Sequence, residues 1–234
     1  LSATPPAAAT HGALADPSRW VRRWAHLVAP GGDVLDVASG SGRHARFFAQ
    51  RGHRVTALDR DAAALATMQG VAGIETLECD LEGAPWPLAA ARRYAGVVVT
   101  NYLHRPLMAQ LIDALAPGGV LIYETFAQGN ETVGKPSNPA FLLAPGELLA
   151  VCTPALRVIA YQDGFLAEPR EAFIQRICAV REVRGLQGGA TDEAENSAKA
   201  GERADESAEE KAAEKRRNGG ATQVLPVPRY DLAG

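Results

Sequence analysis

The run Val34–Asp61, VLDVASGSGRHARFFAQRGHRVTALDRD, constrains the fold of this chain more than any other segment. An apolar stretch carrying Asp36 breaks into the turn Ala38-Ser39-Gly40-Ser41-Gly42. A helical pattern follows through Ala45, Phe47 and Phe48, Gly52 ends it, and a second apolar stretch delivers Asp59 at its tip. Strand, glycine turn, helix and strand are thus spelled out in order. Glycine admits positive φ and lets a ligand approach where a Cβ would collide. A helix start presents unpaired N–H groups, and a carboxylate on the neighbouring strand accepts two ribose hydroxyls. The unit is suited to holding an adenosine.

Gly40-Ser41-Gly42-Arg43-His44-Ala45 also satisfies the loose G-x-G-x-x-[GA] dinucleotide pattern, with Asp59 near the usual distance. Asp36 argues against a pyrophosphate cofactor. An anion inside the first strand gives a pyrophosphate nothing, whereas it attracts an ammonium or sulfonium. A second feature is Leu115-Ala116-Pro117-Gly118-Gly119-Val120-Leu121-Ile122, a helix stop followed by an apolar strand expected at Val120–Phe126. Together, the acidic first strand, the glycine turn, the acidic second strand tip and the L-x-P-G-G strand resemble class I S-adenosylmethionine-dependent methyltransferases over roughly residues 29–183. Ala38 stands where that family usually has glycine.

The resemblance implies S-adenosylmethionine as cofactor and a Rossmann-like α/β fold. In that fold a doubly wound seven-stranded sheet is mostly parallel, with an antiparallel last strand. The pattern of the chain reads the same way. Asp16-Pro17 is expected to open a helix over Ser18–Ala29 with Trp20, Trp24 and Leu27 on one side. Strands and helices then alternate up to Ile122, the pattern of a doubly wound sheet. The last two strands, near 157–163 and 173–183, have only a turn at Gly164–Pro169 between them and are expected to be antiparallel.

Length and composition set few further limits. The chain has 234 residues, three widely spaced cysteines and a net charge of −3. Cys79, Cys152 and Cys178 form no metal spacing and read as reduced residues of a cytoplasmic protein. No apolar run is long enough to span a bilayer, and no basic-then-apolar leader opens this sequence. The acidic balance argues against nucleic acid and for a small-molecule acceptor; oligomeric state is not legible. Residues 1–15 read as a flexible arm, 16–184 as the methyltransferase-like domain, and 185–222 as a charged low-complexity segment expected to be disordered. Residues 223–234 regain apolar side chains and are a tail with even odds of docking.

Candidate cofactor residues are Ala38, Ser39, Gly40 and Gly42 in the turn, with Asp59 and Arg60 at the second strand tip and Asn101 after the fourth strand. Asp61 is expected to cap the following helix, leaving Asp59 for the ribose. Asp36 has a structural and a functional reading, and the resemblance puts it under the methionine moiety. Asp80 and Leu81 end the third strand, where the resemblance implies adenine contacts and the plain alternative is a strand-end cap. Asn101-Tyr102-Leu103-His104-Arg105-Pro106 follows the fourth strand, at the edge where such sheets bind ligands. The resemblance turns this segment toward the methyl group. Asn101 and Tyr102 then orient the acceptor and His104 is a candidate base, against a helix-capping alternative. Ala127–Pro145 reads as a long binding loop or lid, with Tyr123, Phe126 and Phe141 as candidate apolar lining.

The Asn-Tyr-Leu-His-Arg-Pro segment and the Tyr-Glu-Thr-Phe strand end are most similar to bacterial methyltransferases of the tellurite-resistance type. That likeness implies a soft or anionic acceptor, a thiol or chalcogen, methylated by direct in-line transfer. No convincing acid–base pair is visible, which fits an acceptor that arrives deprotonated. An NAD-dependent oxidoreductase, a tRNA or protein methyltransferase and a non-catalytic cofactor-binding protein stay open as alternatives.

Overall fold

Ser18 starts the first helix. Its hydroxyl accepts the N–H groups of Trp20 at 3.1 Å and Val21 at 3.4 Å, and its own N–H donates to His44 Nε2 at 3.1 Å. That last bond holds Ser18 in extended backbone, so the helix cannot begin at Pro17 with Asp16 as cap, as the sequence suggested. Helix α1 is Arg19–Trp24, followed by a 3-10 turn over Ala25–Leu27. Six residues are too few for a stable isolated helix; burial of Trp20, Val21 and Trp24 holds it in place.

The computed structural model describes residues 16–168 and 170–183, so the expectations for the arm 1–15, the charged segment 185–222 and the tail 223–234 lie outside the described residues. The strands are β1 Val34–Val37, β2 Val55–Asp59, β3 Ile74–Glu78, β4 Tyr94–Thr100, β5 Leu115–Phe126, β6 Arg157–Leu166 and β7 Ala172–Val180. The remaining helices are α2 Arg43–Ala49, α3 Ala62–Ala66, α4 Met108–Asp113 and α5 Glu147–Cys152.

The sheet has seven strands in the order β3-β2-β1-β4-β5-β7-β6. β1 pairs parallel with β2 and β4, and β4 parallel with β5. β7 slots between β5 and β6 antiparallel to both. The class expected from sequence is the class observed, a mostly parallel sheet with an antiparallel last strand. One detail differs: residues 79–93, joining β3 to β4, contain turns but no helix.

Strand period divides the core between the two sheet faces. Val98, Val120 and Ile122 face α1 and α2 with Trp24 and Phe48, whereas Val97, Val99 and Tyr123 face Leu111 and Leu148. β5 starts earlier than the apolar run suggests, because Leu115 already pairs with Tyr94. Gly119 permits this: a Cβ there would sit 2.7 Å from the Tyr94 carbonyl oxygen. Chain direction across the sheet reverses between β1 and β4, the switch point where open α/β sheets form ligand crevices.

Candidate active site

Both strands at the switch point end in a strained residue. Ala38 after β1 has φ +53° and Asn101 after β4 has φ +56°, a conformation that costs a non-glycine residue roughly 1–2 kcal/mol. Beyond Ala38 the backbone folds tightly: Ser39 N–H donates to Leu58 O at 2.9 Å and Gly42 N–H to Ser39 O at 3.0 Å. Gly40 has φ +54° with open space where a Cβ would point, as a ligand-facing turn requires. Gly42 is glycine for packing, since a Cβ would lie 1.9 Å from Met68 Sδ.

Asp59 ties this turn to β2. Its Oδ2 accepts Gly40 N–H at 2.6 Å and its Oδ1 accepts Asp61 N–H at 2.9 Å. Asp61 meanwhile caps α3, accepting from Ala63 and Ala64. Each Asp59 oxygen keeps a lone pair for a hydroxyl donor, because a carboxylate offers about four acceptor positions.

Asp36 lies beneath the turn and is essentially sealed from solvent. Burial pushes its pKa up to about 7; the Ala45 backbone N–H and Arg43 oppose that rise, and Asp59 adds to it. Asp36 Oδ2 and the neighbouring Ser39 Oγ are buried with no hydrogen-bond partner among the described residues. A buried acceptor without a donor is costly unless a ligand supplies one. These two atoms, with the open side of Gly40, fit the cationic amino-acid end of S-adenosylmethionine.

His44 joins three elements. Nε2 accepts the Ser18 N–H, so Nδ1 carries the proton and faces Thr100 Oγ1 at 3.4 Å. Burial first, then Arg43, lowers its pKa to about 3, so the ring stays neutral and structural.

Two cavities open beside the turn. The smaller, about 220 Å³, is lined by Ala38, Asp59, Arg60, Cys79, Asp80, Leu81, Glu82 and Tyr102. It has the residues expected around an adenosine. Asp80 also accepts the Glu82 N–H at 3.0 Å, so its strand-end capping role is present alongside the lining one. The larger cavity, about 730 Å³, lies between the α1 N-terminus, the ends of β4 and β5 and the β6–β7 turn. Asn101, Glu124, Phe126 and Ile174 line it, together with Arg19, Arg22, Arg43, Arg170 and Arg176.

Both oxygens of Glu124 are held. Oε1 accepts from Ser18 Oγ at 2.8 Å, and Oε2 pairs with Arg176 Nη1 at 3.2 Å. Arg176 in turn donates to Gln162 Oε1 at 2.7 Å and lies over the Trp20 ring at 4.8 Å.

The structure separates residues that the sequence grouped. Asn101 reaches the larger cavity, while Tyr102 lines the smaller one. The Tyr102 hydroxyl is buried and unpartnered, and burial with the Glu82 and Asp80 carboxylates raises its pKa. His104 lines neither cavity and precedes the 3-10 turn Arg105–Leu107. The left-handed backbone of Asn101 turns the chain between the two residues that part.

Nor does the 127–145 connection wall the larger cavity. Arg105 clamps it instead, bonding Glu147 Oε1 at 2.6 Å and Oε2 at 2.9 Å and the carbonyls of Ala140 and Leu142, each at 2.9 Å. Of its candidate lining, Phe126 reaches the cavity, Tyr123 is core and Phe141 faces solvent. The arginines were missed because they come from four separate segments; an α1 face bearing Arg19 and Arg22 beside Trp20 was the available signal.

Comparison with known proteins agrees with this geometry. Residues 34–119 match the family described as "Methyltransferase domain". The malonyl-[acyl-carrier protein] O-methyltransferase of Serratia marcescens is 36% identical over 104 residues, 43% of this chain and 41% of that protein. The chain therefore spans less than half the length of that relative. Among solved structures, TehB from Haemophilus influenzae superposes with a TM-score of 0.55 at 20% identity, over 68% of this chain and 60% of that one. A TehB-like S-adenosylmethionine-dependent methyltransferase from Corynebacterium glutamicum gives 0.52 at 16%, over 70% and 87%. The 1,6-didemethyltoxoflavin-N1-methyltransferase of Burkholderia thailandensis, with S-adenosylhomocysteine bound, gives 0.51 at 21%, over 70% and 76%. Residues 34–119 thus match a methyltransferase domain, and the chain has the fold of the S-adenosylmethionine-dependent methyltransferases. S-adenosylmethionine is the cofactor of that class. Among the described residues no helix is long and apolar enough to cross a membrane.

Proposed function

We propose that this chain methylates a small-molecule acceptor from S-adenosylmethionine, with the adenosine in the smaller cavity and the acceptor in the larger. Asp36 carries the reading: a sealed carboxyl with an unpartnered oxygen, in the strand that runs into the glycine turn, is suited to a cationic ligand. Bound S-adenosylmethionine supplies a methyl carbon on a sulfonium, which a nucleophile displaces in line. Asp36 attracts the cationic end, Asp59 accepts the ribose hydroxyls, and Asp80 and Leu81 bound the adenine. Asn101 orients the acceptor from the larger cavity. Most of the rate enhancement then comes from proximity and alignment, because the donor is already activated.

The acceptor is soft or anionic, a thiolate or chalcogenide or another group that arrives deprotonated. Support comes from the lining: among its described residues there is no histidine, lysine, cysteine or tyrosine, its acidic groups are Asp16, Glu124 and Glu168, and Glu124 is held by Ser18 and Arg176. The Serratia relative is named for methylation at oxygen, which also requires no strong base when the oxygen is ionised. Thermal shift tests the cofactor assignment. Saturating adenosylhomocysteine should raise the melting temperature by mass action and NAD should not; stabilisation by NAD alone would overturn the reading.

A further inference from the structure

We propose that the acceptor is an amphiphilic organic anion, a carboxylate or phosphate carried on an apolar body, and that the larger cavity is built around it. This rests on the methyltransferase reading and narrows its acceptor. Size is the first argument. A cavity of about 730 Å³ falls within the roughly 300–1,000 Å³ of pockets for drug-sized ligands. An inorganic oxyanion or a simple thiol fills a small part of it, even after the methionine arm of the cofactor takes its share.

The floor is the second argument. Phe126, Ala172 and Ile174, with Leu166 against them, form an apolar cluster of their own, separate from the two main cores. Their cavity-facing surfaces offer a platform that a purely inorganic anion would not use.

The rim supplies the third. The lining has five arginines against Asp16, Glu124 and Glu168, an excess of two positive charges. Arg176 and Glu124 neutralise each other. Arg19, Arg22, Arg43 and Arg170 form no ion pair among the described residues. Arg170 lies 5.3 Å over the Phe126 ring, which sets a guanidinium at the border of the apolar floor. Like charges gathered around one opening repel, and a bound anion relieves that repulsion. Guanidinium groups also match the planar geometry of carboxylate and phosphate oxygens through paired N–H donors.

The test titrates octanoate, octyl phosphate and octanamide into the full chain by calorimetry, with and without saturating adenosylhomocysteine. At least one anion should bind about tenfold or more tightly than octanamide, since a difference near 1.4 kcal/mol is tenfold. The anion that binds tighter identifies the headgroup. Arg22→Ala and Arg170→Ala should each weaken the anion about two- to fivefold, as expected for solvent-exposed ion pairs, and leave octanamide and adenosylhomocysteine binding unaltered. Equal affinity for octanamide and both anions overturns the proposal, as does anion affinity unmoved by either substitution. Binding of tellurite with no binding of either organic anion overturns it in favour of a small inorganic acceptor. Anion selectivity is read in the free chain too, so loss of adenosylhomocysteine binding strikes the methyltransferase reading while the anion data still decide this one.

Discussion

Replacing Asp36 with asparagine should stabilise the free protein and abolish cofactor binding. The unfolded chain releases the Asp36 proton near its ordinary pKa of 3.8, whereas burial makes the folded chain hold it up to about 7. The folded state therefore loses stability as pH rises between those values, and the full penalty stands above pH 7. A displacement from 3.8 to about 7 corresponds to about 4 kcal/mol at roughly 1.4 kcal/mol per pH unit. Relaxation of the interior around a charge makes that an upper bound. Even ~1 kcal/mol would move the melting temperature of a domain this size by about 2–4 °C. Asparagine keeps an acceptor for the Ala45 N–H but carries no charge. Melting curves of the free parent and Asp36→Asn, taken from pH 4 to 8, should show a gap favouring the variant that widens with pH and closes near pH 4. Adenosylhomocysteine should no longer raise the melting temperature of the variant. In the parent its affinity should fall by up to about tenfold per pH unit below 7, because binding the ammonium requires ionised Asp36. A gap of equal size at pH 5 and pH 8, or cofactor binding retained by Asp36→Asn, would refute the reasoning.

Asp59→Ala should weaken adenosylhomocysteine roughly tenfold or more, since hydrogen bonds to a charged acceptor are worth about 1.5–3 kcal/mol; calorimetry showing parental affinity would remove Asp59 from the ribose. Tyr102→Phe should change adenosylhomocysteine affinity and leave turnover at saturating cofactor close to the parent's, while His104→Ala should leave affinity unaltered. A turnover loss confined to either variant would return that side chain to the acceptor side. Gly42→Ala should destabilise the fold by about 2 kcal/mol or more, combining left-handed strain with a Met68 clash, and denaturant unfolding would measure it.

Local chemistry made the adenosine half legible in the sequence. Gly40, Gly42, Asp36 and Asp59 sit within one strand–turn–helix–strand unit, and Asp61 takes the α3 cap that frees Asp59. Such features depend on φ preferences and strand period over a few residues, and these travel with the sequence. The sheet class was legible for the same reason, from alternating elements and the short turn before β7. Where β7 inserts was not, because strand order depends on which edges pair at long range.

The charged rim of the larger cavity was decided by the tertiary structure. Arg19, Arg43, Glu124, Arg170 and Arg176 are scattered along the chain and meet only when α1 docks and the β6–β7 hairpin folds back beside β5. Ser18 shows the same dependence at a single residue. The sequence offered Asp16 as the cap, but bonds to His44 and Glu124 hold Ser18 where it caps the helix instead. Tyr102 and His104 looked like neighbours of Asn101 in one site, and the structure puts neither in the cavity that Asn101 lines. Sequence thus determined the glycine turn, whose interactions are local; packing decided the larger cavity, whose charges converge only across distant segments.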